Sequence, residues 1–117
     1  MRKVLFYQTA SGKCPVEQFL DTLNAKQAKK VTWVLALIEE LVFVPSQYFT
    51  KLENTDGIWE VRVQVGGDIF RILGFLQGNN IVLLTNAFQK KTQKTPQQEI
   101  ELAQQRKRDY LARRGTK

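Results

Sequence analysis

Histidine is absent from all 117 residues, and cysteine occurs once, as Cys14. Without histidine, any acid–base chemistry falls to Asp, Glu, Lys, Arg, Tyr, Cys or water. A single cysteine excludes an intrachain disulfide and suits a reducing cytosol. It also has no histidine partner to activate it as a nucleophile. The acids are scattered, and no His/Cys/Asp/Glu cluster has ligand spacing, so no metal is expected. Neither a phosphate-loop nor a dinucleotide glycine pattern is present, so no cofactor is expected. No apolar run approaches a membrane span, and MRKVLFYQTASGK has too short an apolar core for a secretion signal, which points to the cytoplasm.

What is present fits one domain over residues 1–117. A hydrophobic content of 43% and a charged content of 25% are ordinary for a globule with its own core. The net charge of +7 is unevenly placed. Residues 1–88 carry nine Lys/Arg against eight Asp/Glu, whereas residues 89–117 carry nine against three. A positive field concentrated in the tail favours nucleic acid or another acidic partner, although basic patches also serve solubility.

The stretch Ile58–Pro96 organises the chain. It reads as IWEVRVQV, a turn at Gly66-Gly67-Asp68, IFRILGFL, a turn at Gly78-Asn79-Asn80, IVLLTNAF and the basic exit QKKTQKTP. Trp59, Val61, Val63 and Val65 alternate with Glu60, Arg62 and Gln64, the period of a strand with one face in a core. With a two-residue loop at Gly66-Gly67, Arg62 lies directly opposite Arg71, an unfavourable pairing of like charges. The same parity adds Asn86, Phe88 and Lys90 to that face, with Glu60 beside Arg62. The set suits a polyanion; the plainer alternative is two solvated arginines, each near an acid.

Ahead of this meander, KVLFYQ (Lys3 to Gln8) is a candidate strand. Pro15 suits a first helical turn, and Val16, Phe19, Leu20 and Leu23 give a short helix. Asn24 and Gln27 form a capping box for a long amphipathic helix marked by Val31, Val34, Leu35, Ile38, Leu41 and Val42. Trp33 and Leu37 widen its stripe, through packing on more than one side or as a surface for a partner. Pro45 ends it, and a loop through Tyr48, Phe49 and Lys51 leads to Asn54-Thr55-Asp56-Gly57. Lys51, just upstream of the cationic face, is in reach of the same ligand. Beyond Phe88, Lys90, Lys91 and Lys94 alternate with Thr92 and Thr95, and Thr95-Pro96 with Gln98 reads as a second capping box. Cations and hydroxyls at a helix start suit a phosphate. The last helix has a thin apolar seam of Ile100, Ala103, Tyr110 and Leu111.

An α+β chain of this order, strand, two helices, three-stranded meander and C-terminal helix, resembles the RelE/ParE toxin superfamily, and most closely its phage-derived HigB-like branch. The resemblance is carried by GIWEVRV, FRILGF and above all AFQKKTQKTPQQEIELA, with PVEQFLDTL fitting as well. It implies a RelE-like fold with a small antiparallel-rich sheet and a type II toxin that cleaves messenger RNA in the ribosomal A site. It also implies a helix-turn-helix (HigA-like) antitoxin. The positions matching the basic residues on which cleavage depends in relatives are Arg62, Arg71, Lys90, Lys91 and Lys51. Some relatives use a histidine or a C-terminal tyrosine near the scissile phosphate; here there is no histidine, and Tyr110 lies well down the last helix. ParE-type relatives inhibit gyrase instead, so a non-catalytic basic binding module is the alternative.

The chemistry expected of an endoribonuclease with these residues is metal-independent attack by the substrate's own 2′-hydroxyl. Glu60, or a lysine with a depressed pKa, would serve as base. Arg62 and Arg71 would stabilise the phosphorane, and Lys90 or Lys91 would hold the backbone or protonate the leaving oxygen. Phe88 would stack on a base, with Lys51, Thr92, Lys94 and Thr95 completing the RNA-binding set.

Overall fold

A computed structural model describes residues 1–91 and 94–115. Its elements are β1 (Lys3–Phe6), α1 (Pro15–Leu20), α2 (Ala25–Glu40), β2 (Phe49–Lys51), β3 (Ile58–Val65), β4 (Asp68–Gln77), β5 (Ile81–Gln89) and α3 (Gln97–Gly115). The five strands form one sheet in the order β1-β5-β4-β3-β2. β1 runs parallel to β5, and every other pairing is antiparallel. This is the expected α+β arrangement, with one addition. The segment expected as a loop through Tyr48, Phe49 and Lys51 contains the short edge strand β2.

The sheet is covered on both faces. Val61 and Val63 of β3 and Phe70 and Ile72 of β4 point into the main core with Val16 of α1 and Val31, Val34 and Ile38 of α2. Helix α3 covers part of the opposite face, where Ala103 meets Ile58 and Leu73, and Tyr110 joins Phe75, Tyr7 and Leu83. Period-two alternation therefore places Glu60, Arg62 and Arg71 on the α3 side of the sheet.

The Asn24–Gln27 capping box at the start of α2 is present in both directions, at 2.8 and 3.0 Å. α2 stops at Glu40, before Leu41 and Val42, which were expected to continue its apolar face. The Arg2 guanidinium takes the carbonyls of Ile38, Leu41 and Val42 and satisfies orphan acceptors at the helix end. Val42 and Phe43 are consequently exposed.

Register in the meander depends on two turns and one irregularity. Gly66, at φ +59°, opens the two-residue loop between the paired Val65 and Asp68, so Arg62 stands opposite Arg71 as expected. The second turn spans three residues between Gln77 and Ile81. By itself it would set Ala87 against Arg71. Between the Gly74–Leu84 and Leu73–Asn86 pairs, however, Thr85 is an extra residue, a β-bulge. The bulge shifts register by one and brings Asn86 and Phe88 to the Arg71 face. Thr85 is buried, its hydroxyl donates toward Leu73 O (3.1 Å) and Asn86 Oδ1 (2.6 Å), and its carbonyl accepts from Arg106 Nη1 at 2.9 Å.

Polar contacts hold the tail helix alongside its apolar seam. Tyr7 Oη donates to Asp109 Oδ2 at 2.6 Å, Arg113 Nη2 to Gln8 O at 2.7 Å and Lys107 Nζ to Asp56 O at 2.7 Å. Arg106, Lys107 and Arg113, read from sequence as part of a field for a polyanion, are thus employed in docking α3.

Gly74 sits where β5 closes on the bulge: a Cβ there would lie 2.3 Å from Leu83 O, whereas one on Gly67 would meet nothing within 4 Å. Gly74→Ala is expected to lower the unfolding free energy by about 2–3 kcal/mol, as overpacking does, with Gly67→Ala changing it by under about 1 kcal/mol, both read by urea denaturation.

Candidate functional site

Arg62 N–H donates to Tyr48 O at 2.8 Å, on the β2 side of β3. Arg62 and Arg71 therefore form a non-hydrogen-bonded pair of the β3–β4 ladder, the kind in which opposed side chains come closest. Two guanidinium groups so placed repel unless a carboxylate stands between them. Glu60 supplies it. Its Oε1 accepts from Arg62 Nε at 2.9 Å and lies 3.4 Å from Arg71 Nε. Its Oε2 accepts from the Thr95 hydroxyl, in the segment leading to α3. Glu60 has no exposed surface.

Glu60, expected as a base, thus has both oxygens engaged and its side chain almost wholly buried beside two cations. Thr95 is likewise employed: its hydroxyl serves Glu60 instead of capping α3, whose first turn closes on Pro96 O.

The Arg71 side chain is only 12% exposed, against 39% for Arg62. Burial, followed by the neighbouring Arg62, lowers the Arg71 pKa from its ordinary value, while Glu60 opposes the shift. Lys90 N–H donates to Ile69 O at 2.7 Å just beyond the end of β5. Its pKa is lowered too, first by burial and then by Arg71 and Arg62, against the opposing field of Glu60. An amine in that position gives up its proton more readily than an exposed lysine. Arg62 and Arg71 line a cavity of about 530 Å³ together with Lys30, Gln47, Tyr48 and Gln64.

Of the other residues expected at the site, Lys91 and Lys94 are exposed in the chain leading to α3. Phe88 stands opposite Arg71 and, half-buried, packs against the Ile58–Leu73–Ala103 cluster, as Ile100 does. Asn86 is buried and donates to Glu99 Oε1 (2.9 Å) and O (3.2 Å), tying the bulge to the start of α3. Lys51 does not join the group. Its pairing with Trp59 puts it on the opposite face of the sheet from Glu60, whose partner in β2 is Thr50. Thr92 lies outside the described residues. Sequence reasoning missed Lys30, Gln47 and Tyr48 as lining residues; only the unexplained width of the α2 stripe at Trp33 pointed toward that side.

Among the described residues no group of acids or cysteine is placed to hold a metal, and no helix is long and apolar enough to cross a membrane. The site is thus a cationic concavity whose charge is set by one buried acid. Residues 18–108 match the family described as phage-derived protein Gp49-like (DUF891), well over half the chain. The chain belongs to that family. Gp49-like proteins are associated with toxin–antitoxin systems and are related to RelE-like toxins, with which the α+β fold is compatible. The matched span of this Gp49-like chain contains Glu60, Arg62, Arg71, Lys90 and Thr95. No curated protein matches the chain.

Removing the Glu60 charge leaves two facing guanidinium groups with no counterion among the described residues. Glu60→Gln is expected to cost about 2 kcal/mol of stability, less than a fully buried pair would, because Arg62 is partly solvated. Arg71→Met in the Glu60→Gln background is expected to recover part of it, both measured by urea denaturation. An additive double mutant would show that the groups do not interact.

Proposed function

We propose that this Gp49-like chain is the HigB-like toxin of a type II toxin–antitoxin system, acting in the cytoplasm as a metal-independent endoribonuclease on messenger RNA in the ribosomal A site. The observation that carries the reading is the pair of opposed arginines held by a buried carboxylate beside a lysine of lowered pKa. Family membership and the RelE-compatible fold support it. The same reading implies a helix-turn-helix (HigA-like) antitoxin as partner.

In this mechanism one RNA phosphate rests between Arg62 and Arg71. The neutral amine of Lys90 takes the proton of the adjacent 2′-hydroxyl as its oxygen attacks phosphorus. A 2′-O–P bond forms and the P–O5′ bond breaks. The two guanidinium groups carry the added negative charge of the phosphorane, which develops only in the transition state. Lys91, exposed and next in sequence, protonates the departing 5′ oxygen. The products are a 2′,3′-cyclic phosphate and a 5′-hydroxyl. Glu60 takes no proton in this scheme; it fixes the arginines, and Thr95 fixes Glu60.

The test is cleavage of a reporter message in a translation extract. Arg71→Ala is expected to slow cutting by about 10²–10³-fold, the usual effect of removing one transition-state donor. Equal cleavage by a folded Arg71→Ala protein contradicts the mechanism, and an uncut message with lowered DNA supercoiling identifies a gyrase-directed binding module instead. Because Lys90 acts deprotonated and its pKa is lowered, the rate rises with pH and levels off below the lysine range of about 10.4. Lys90→Arg, which stays protonated, is expected to remove that rise. A profile unchanged in Lys90→Arg would assign the base elsewhere.

A further inference from the structure

We infer that the RNA path continues from the arginine pair around the open edge of β3 onto α2, where Trp33 stacks a base and Lys26, Lys29 and Lys30 hold the flanking phosphates of a single strand. The inference rests on the reading of Arg62 and Arg71 as an RNA site and extends its footprint.

Lys26, Lys29, Lys30 and Trp33 recur at spacings of three, four and seven, so they form one stripe along α2. With the hairpin tip at Gln64, Val65 and Gly66, the stripe encloses a second cavity of about 420 Å³. The two cavities share Lys30, Gln64 and Gly66. They are also joined through Tyr48, which lines the first and meets the Trp33 ring edge-on at 5.6 Å. Their lining contains five cations and no carboxylate. The nearby Asp68 accepts from Gln27 Nε2 and Gln89 Nε2.

Trp33 is 46% exposed, although a tryptophan gains more than most residues from burial. Lys30 Nζ sits 4.8 Å from its ring centroid. An exposed indole beside cations is the combination that binds single strands without reading sequence: the π-face takes any base, and the ammonium groups follow the backbone. The edge of β3 adds to the track. β2 pairs no further along β3 than Val61, and the alternation that sends Arg62 N–H outward to Tyr48 sends the Gln64 N–H to the same side. A double helix is too wide to turn this corner from one sheet face to α2, whereas a flexible single strand is not.

The test uses the whole protein and two fluorescein-labelled 2′-O-methyl oligouridylates, which cannot be cut: a decamer, and a trimer too short to reach from the arginines to α2. Trp33→Ala is expected to weaken decamer binding roughly five- to tenfold and leave trimer binding unchanged, with Trp33→Phe restoring most of the loss. The double variant Lys26→Gln/Lys29→Gln is expected to reduce the slope of log affinity against log salt by about 1.4, the value for two lost single-strand phosphate contacts. Decamer affinity and salt slope equal to the wild type in these variants overturn the inference, as does loss of antitoxin capture alone, which would make the stripe a protein-binding surface. Arg71→Ala separates the two claims. Weakened binding of both oligonucleotides by Arg71→Ala, with Trp33→Ala silent, leaves the cleavage site standing without its extension. Weakened decamer binding by Trp33→Ala, with Arg71→Ala silent, removes the arginine site. No decamer binding by the wild type, with Arg71-dependent cleavage intact in the translation extract, overturns the extension only.

Discussion

A carboxylate with no exposed surface sits between two guanidinium groups that face each other across neighbouring strands. Each part of this arrangement is unfavourable alone: opposed arginines repel, and a buried acid loses its hydration. Together they are compatible, because Glu60 is within 2.9 Å of Arg62 and 3.4 Å of Arg71. One carboxylate cannot neutralise two arginines. The remaining positive charge is what the site offers to an anion, next to an acid that bonds Arg62 and pairs with Arg71.

The rest of the fold serves that constraint. The Gly66 turn sets the arginines in register, and the extra residue Thr85 sets β5 in register with them. The bulge has costs of its own, a spare hydroxyl that Leu73 and Asn86 accommodate and a spare carbonyl that α3 meets. Arg106 takes the carbonyl, Asn86 links the bulge to Glu99, and Thr95 reaches back to Glu60. Helix α3 is therefore a brace for the site. Its basic residues Arg106, Lys107 and Arg113 look from composition like a nucleic-acid tail, yet each donates to a backbone carbonyl of the sheet or its loops. In the proposed reading, the cations that meet an anion are on β3, β4, the Lys90–Lys91 exit and α2.

How much of this could be read from sequence follows from the range of each signal. Period-two alternation and a two-glycine turn are local, so the Arg62–Arg71 pairing was readable, as was the Asn24–Gln27 capping box. The position of Lys51 was not, because its side of the sheet depends on the register of a three-residue edge strand. The burial of Glu60 was not readable, because the hydroxyl that its Oε2 accepts from belongs to Thr95, 35 residues later. The bulge at Thr85 has no composition signal, since its determinants are a glycine in the adjacent strand and an arginine in the last helix. The Arg2 contacts at the end of α2 lie outside any reading of residues 25–45.

The central claim is that Arg62 and Arg71 grip the same phosphate. It is tested most directly by following their side-chain Nε–Hε resonances in 15N-labelled protein as a 2′-O-methyl uridine dinucleotide is added. Both resonances are expected to move together along one binding curve, with the Glu60-facing geometry retained. Two stationary arginine signals, while those of surface lysines shift, would contradict the account.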